Sequence, residues 1–115
     1  MKDTIFVLGQ KYTIEEHHEE SDPKFKECNG YFEPHSKKIV INSDLVANTN
    51  KDPMGAENME VYLKHIYRHE IIHAFFQESG ISYRYSTEDE DFIVDWISTM
   101  YPKMKKIFED LDIEE

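Results

Sequence analysis

The segment Leu63–Gly80, LKHIYRHEIIHAFFQESG, carries the strongest structural signal in this chain. It belongs to a longer stretch, Ala56–Glu78, that contains neither proline nor glycine and whose apolar residues recur at helical spacing. This pattern predicts a central, largely buried helix. Gly80 predicts the end of that helix, because glycine readily adopts the left-handed conformation found at helix C-termini.

Within this helix, His69, Glu70 and His73 form the sequence His-Glu-x-x-His. Residues four apart lie on one face of a helix, so both imidazoles can bind one Zn²⁺ ion. Glu70 lies about 100° around the helix from His69, where it can accept a proton from zinc-activated water. The motif predicts a zinc metallopeptidase in which His69 and His73 bind the metal and Glu70 is the general base.

The third zinc ligand should be a carboxylate from another element, and an acidic run stands at the start of a second predicted helix, Thr87–Asp110. These carboxylates could equally complement the helix dipole. The angular position around the predicted helix favours Glu90, which lies within about 40° of an apolar stripe through Ile93 and Ile97. Asp91 shares a face with Asp95, which could accept a ring N–H from a ligating histidine, so both candidates remain open.

His65 shares a face with His69 and His73, but eight residues of helix span about 12 Å, too far for one ion. We expect His65 beside the site or in the core. The other three histidines lie in polar segments and are expected to be solvated: His17, His18 and His35. Two tyrosines between the helices could donate to an oxyanion or simply pack under a loop: Tyr83 and Tyr85.

The N-terminal half is predicted to form strands. Four segments with alternating or β-branched residues form two predicted hairpins: Thr4–Leu8 with Lys11–Glu15, and Tyr31–Glu33 with Lys38–Asn42. Residues 43–55 are rich in turn formers and predict a loop. The apolar stripe of the second helix is predicted to include Ile93, Trp96, Ile97, Ile107 and Leu111.

Composition narrows the range of functions. The 115 residues suit one domain, and the net charge of -11 argues against nucleic acid as a partner. The single cysteine, Cys28, allows no intrachain disulfide. The N-terminal apolar run, Ile5–Leu8, is too short for a signal peptide or a membrane span. We expect a cytoplasmic protein with no membrane partner.

Three stretches resemble the ImmA/IrrE-like and phage-type small HExxH zinc metallopeptidases of the gluzincin kind: GYFEPHSKKIVI (Gly30–Ile41), LKHIYRHEIIHAFFQESG (Leu63–Gly80) and EDFIVDWISTMYPKM (Glu90–Met104). The resemblance implies an α+β domain over residues 1–115, with a small antiparallel sheet packed on the HExxH helix and a C-terminal helix. It also implies a phage or prophage origin, a bacterial host and activity on a peptide or protein substrate, such as a regulatory protein.

The resemblance favours Asp91 as the third ligand. Counting back from Pro102, the position of the family's ligand falls on Asp91, where those relatives usually have glutamate. Glu90 has the usual length for this ligand and stays the rival, although it could instead complete a capping box with Thr87. Pro102 is predicted to kink or break the second helix near Tyr101.

Two functions compete on these residues. A peptidase could add an extended substrate to a sheet edge, for which Lys38–Asn42 is the candidate. The alternative is a non-enzymatic phage accessory protein that keeps zinc for folding and binds a host protein through its acidic surface. Glu70 counts against this alternative, because a structural zinc site needs four protein ligands and no glutamate beside the first histidine.

Overall fold

The computed structural model describes residues 3–45 and 56–115, and in these ranges it contains four strands and two long helices. The elements are β1 (Asp3–Val7), β2 (Gln10–His17), β3 (Gly30–Glu33), β4 (Lys38–Asn42), α1 (Ala56–Ser79) and α2 (Thr87–Asp110). Three short 3-10 segments connect them: Glu19–Ser21, Pro23–Lys26 and Ile81–Tyr83. Most of the loop predicted over 43–55 lies outside the described residues.

The predicted α+β class, with a small sheet packed on helices, is confirmed. The strand order is β1-β2-β4-β3, and both predicted hairpins form antiparallel pairs. The sheet is nevertheless mixed, because β2 and β4 pair in parallel. The segment between β2 and β3 crosses to the far edge of the sheet, where β3 lies. The second hairpin then places β4 between β3 and β2.

The prediction that Lys38–Asn42 forms the exposed edge is wrong. This strand, β4, lies between β2 and β3, and four consecutive residues in it are buried: Ile39, Val40, Ile41 and Asn42. An uninterrupted run of buried β-branched residues is typical of a central strand with both faces covered. The edge strand on this side of the sheet is β3.

The core joins one face of the sheet to α1. Tyr12 and Ile14 of β2 and Ile39 of β4 pack in one cluster with Ile66 and Ala74 of the helix. Two side-chain hydrogen bonds fasten the helix to β2: Tyr67 donates to Glu16 at 2.7 Å, and the Tyr12 hydroxyl donates to Glu78. These contacts fix the rotation of α1 beneath the sheet.

Gly30 brings β3 unusually close to α1. A Cβ atom at this position would lie 2.6 Å from Cγ2 of Ile66, a buried side chain that has little room to move. The first residue of β3 therefore has to be glycine for the strand to lie at this distance from the helix. As a result, the edge strand runs beside the turn of α1 that precedes the His-Glu-x-x-His motif.

The end of α1 and the start of α2 lie close to the predicted residues. Gly80 follows α1 with φ 84°, the left-handed conformation expected at a helix C-terminus. The N-cap of α2 is Ser86, whose hydroxyl accepts from the Asp89 amide at 3.2 Å, so the predicted capping box of Thr87 and Glu90 is wrong by one residue. Pro102 lies inside a helix that continues to Asp110, so it does not break α2.

The buried line of α2 differs from the predicted stripe. Val94 and Ser98 are fully buried, whereas Trp96 is 52% exposed, and Ile107 and Leu111 are also exposed. The small Ser98 allows close approach to α1, and the Ser98 carbonyl accepts from Arg68 Nε at 3.0 Å. In the part of the chain that the structure describes, neither helix has the length and apolarity needed to cross a bilayer.

Candidate metal centre

His69 and His73 stand one turn apart on α1, and their Nε2 atoms lie 3.2 Å apart. Two ligands about 2.1 Å from a tetrahedral zinc ion would lie about 3.4 Å from each other, so this spacing suits a shared metal. The Phe32 ring of β3 stacks on the His73 ring with an interplanar angle of 7°. The helix register and this aromatic contact together orient the His73 ring toward His69.

Asp91 and Glu90 approach His73 from opposite ends of its ring. Asp91 Oδ1 lies 2.9 Å from His73 Nε2 and 4.0 Å from His69 Nε2, on the side where the two histidines meet. Glu90 Oε2 lies 2.6 Å from His73 Nδ1. Because a carboxylate can only accept, each ring nitrogen of His73 faces an acceptor. A metal ion held by Nε2 and Asp91 would take the place of the proton at Nε2, while Nδ1 would donate to Glu90.

The start of α2 explains how two adjacent residues both reach the site. At about 100° per residue, the line through Val94 and Ser98 that faces α1 falls between Glu90 and Asp91. Each carboxylate therefore flanks the helix contact, one on either side. The sequence-based prediction measured the angular positions of Glu90 and Asp91 from the bulkier Ile93 and Ile97. These two isoleucines are only half-buried and do not mark the centre of the contact.

Asp95 lies one turn beyond Asp91 and faces the other nitrogen of His69. Its Oδ1 is 3.6 Å from His69 Nδ1 and 3.0 Å from His65 Nε2. Asp95 thus stands where a partner for a ligating histidine was predicted, and it also contacts His65. The ligand atoms of His65, His69 and Asp95 all lie within 4.8 Å of one another, as do those of His69, Glu70 and His73.

Glu70 is buried next to both histidines and lines the cleft in which they meet. Burial raises the pKa of its carboxyl to about 7, with His73 opposing the shift and Asp91 adding to it. A carboxyl with a pKa near neutrality can both accept and return a proton at physiological pH. The cluster of His69, Glu70 and His73 could bind a metal, and its residue types are those that zinc prefers.

Electrostatics keep the His69 ring neutral. Burial lowers the pKa of His69, and the neighbouring His73 lowers it further, while Asp95 and Asp91 act in the opposite direction. Metal binding needs neutral imidazole, so this environment holds His69 in the form that a metal requires.

The cleft beside the histidines has a volume of about 740 Å³. The edge strand β3 forms one wall through Gly30, Tyr31 and Phe32, and the start of α2 forms the other through Glu90 and Phe92. Sequence patterns missed the placement of β3 at this wall, although the glycine that opens the strand was visible. The cleft is therefore bordered by an edge strand.

The remaining candidates lie apart from this cleft. Tyr83 and Tyr85 are exposed, and neither is among the residues that line the cleft, so the geometry gives no support to an oxyanion role. The Tyr83 hydroxyl accepts instead from Gln77 at 3.0 Å. His18 and His35 are exposed, as expected. His17 is half-buried between two carboxylates rather than solvated.

Comparisons of the chain with protein-family models, curated proteins and solved structures find no match.

Proposed function

We propose that this chain is a zinc-dependent metallopeptidase that hydrolyses a peptide bond with water activated by the metal. One observation carries the proposal: the Nε2 atoms of His69 and His73 lie 3.2 Å apart, with buried Glu70 beside them, in a cleft bordered by an edge strand. The phage or prophage origin and the cytoplasm of a bacterial host as its location are part of the same proposal, supported by the sequence resemblance alone.

Each residue has a separate task in this mechanism. His69, His73 and Asp91 hold the metal, and Glu90 fixes the tautomer of His73 through Nδ1. When bound, zinc supplies a Lewis acid that polarises water and the substrate carbonyl. Glu70 accepts the proton of the attacking water and passes it to the leaving amine, a task suited to its raised pKa. Asp91 is shorter than glutamate, and its position close to both Nε2 atoms supports the assignment despite that difference.

The substrate is proposed to be an extended peptide segment that pairs with β3. This strand has β4 on one side, and in the described residues no strand lies on its other side. Main-chain hydrogen bonds to an edge strand bind a peptide with little dependence on its sequence, and side-chain pockets then provide specificity. Phe32 and Phe92 line the cleft and favour apolar side chains next to the cleaved bond.

Glu70→Gln tests the proposal. The amide keeps the shape of the side chain but cannot accept a proton, so hydrolysis of a peptide library should fall by about 10²- to 10⁴-fold while zinc content stays unchanged. Glu60→Gln, an exposed glutamate on the same helix, is the matched control and should keep full activity. Cleavage that survives in Glu70→Gln would contradict the general-base assignment. Zinc binding without cleavage by the wild type would favour the accessory-protein alternative.

A further inference from the structure

We infer that the chain has a second site for a divalent transition-metal ion, built from His65, Asp95 and Nδ1 of His69. Asp95 Oδ1 lies 3.0 Å from His65 Nε2 and 3.6 Å from His69 Nδ1. These separations bracket the spacing of about 3.4 Å that two ligands of a tetrahedral ion would have. The three residues come from facing turns of α1 and α2, so the site requires the two helices to be packed.

The second site lies at a cavity that adjoins the cleft. This cavity has a volume of about 320 Å³ and is lined by His65, His69 and Asp95 together with Cys28 and Glu27. His73 and Asp91 do not line it, whereas His69 and Asp95 also line the cleft. Asp95 approaches Nδ1 of His69, the nitrogen opposite the one that faces His73.

The donor atoms select the class of ion. Two imidazole nitrogens and one carboxylate oxygen suit Zn²⁺, Co²⁺, Ni²⁺ or Cu²⁺, whereas Mg²⁺ and Ca²⁺ prefer sites made of oxygen. The Asp95 side chain is 60% exposed and the His65 side chain 21% exposed, so water can complete the coordination. An ion at Nδ1 of a ring whose Nε2 already holds a cation is repelled by that cation, so the second ion should bind more weakly than the first.

The two sites share one ring, which couples them. A neutral imidazole has one free electron pair and one N–H, so His69 can serve both ions only if the ion at Nδ1 replaces the proton, which passes to solvent. Two cations held by opposite nitrogens of one ring also repel each other, so occupation of the second site should weaken binding at the first. Excess metal should therefore inhibit hydrolysis. Binding at the second site stands independently, whereas inhibition rests on the proposed peptidase function.

Titration of the metal-free protein with Co²⁺, followed by visible absorption, tests the inference. The wild type should show a tight binding event and a second, weaker one. His65→Gln should keep the tight event and weaken the second by at least about tenfold, since it loses one of three ligands. His35→Gln removes an exposed histidine that belongs to neither cluster and should keep both events.

The outcomes separate the two proposals. A second event that persists in His65→Gln, or a wild type with a tight event alone, would overturn the second site and leave the peptidase site intact. The wild type could instead show a single binding event that His65→Gln abolishes. That result would overturn the peptidase site and support the second site. In the activity assay, excess Zn²⁺ should inhibit the wild type and not His65→Gln, and equal inhibition of both would overturn the coupling through His69.

Discussion

Two clusters in this molecule combine histidine with carboxylates and shift the pKa of a histidine in opposite directions. In the cluster on β2, Nδ1 of His17 lies 2.9 Å from Asp22 and Nε2 lies 3.0 Å from Glu15, so each ring nitrogen faces a carboxylate. The hydrogen bond to Asp22, then the one to Glu15, raises the pKa of His17. In the cluster on α1, the Nε2 atoms of His69 and His73 face each other, and the pKa of His69 is lowered.

The difference suggests what separates a structural histidine from a proposed metal ligand. His17 has a carboxylate within hydrogen-bond distance of each nitrogen, which stabilises the cation. The carboxylates of Asp95 and Asp91 lie 3.6 and 4.0 Å from the nitrogens of His69, and burial favours its neutral ring, which can offer an electron pair to a cation. Carboxylates near a ring do not by themselves exclude metal binding, since His73 also has one at each nitrogen. The convergence of its Nε2 atom on that of His69 distinguishes His73 from His17.

The largest expected difference between the two clusters is in the zinc content of their histidine variants. His73→Ala removes one of two converging nitrogens, and the remaining histidine and carboxylate form a poor chelate, so zinc affinity should fall by several orders of magnitude. His17→Ala removes a histidine with no free electron pair and should leave zinc content unchanged. Elemental analysis of both variants after dialysis measures this. Equal zinc in the wild type and His73→Ala would remove the site from consideration.

A smaller difference should separate the two carboxylates of α2. Asp91→Ala removes a proposed ligand, whereas Glu90→Ala removes the partner of His73 Nδ1 and should cost about 10- to 100-fold in zinc affinity. The loss in Asp91→Ala should be the greater of the two. Competition with a chromophoric chelator measures both affinities. A near wild-type value for Asp91→Ala beside a collapsed value for Glu90→Ala would reverse the assignment.

The helices were predictable from sequence because their signals are local. The bounds of α1 follow from apolar spacing and from Gly80, and the pairing of His69 with His73 follows from the helical repeat alone. The order of the strands was not predictable in this way. The position of β4 inside the sheet depends on where the segment after β2 leads the chain, and only the buried run of Ile39, Val40 and Ile41 indicated it.

The third ligand shows a second limit of pattern reading. A stripe drawn through the bulkiest apolar residues placed Ile93 and Trp96 toward the core, yet the buried residues of α2 are Val94 and Ser98. Small residues permit close approach but add little to an apolar pattern. The rotation of α2 about its axis could not be predicted without these small residues. The choice between Glu90 and Asp91 depends on that rotation.

The smallest expected effect concerns the His17 cluster and the pH dependence of stability. Because the pKa of folded His17 is raised, its contribution is fully present below the pKa of the unfolded state, about 6.5, and is lost as pH rises through the folded value. His17→Gln should therefore destabilise the protein more at pH 6 than at pH 9. The pH-dependent part should be at most about 1 kcal/mol, since the His17 side chain is 32% exposed and solvent screens the ion pairs.

Urea unfolding of the wild type and His17→Gln at both pH values measures this difference, with His35→Gln as the control for loss of an exposed histidine. Asp22 acts with the opposite sign. Its burial raises the carboxyl pKa, but hydrogen bonds from Tyr31 and His17 outweigh burial and leave the pKa lowered, so its contribution is lost in acid. At pH 6 both groups are charged and the pair has its full effect. A destabilisation by His17→Gln that is equal at pH 6 and pH 9 would mean that His17 acts through packing alone, and the contrast with His69 would lose its electrostatic basis.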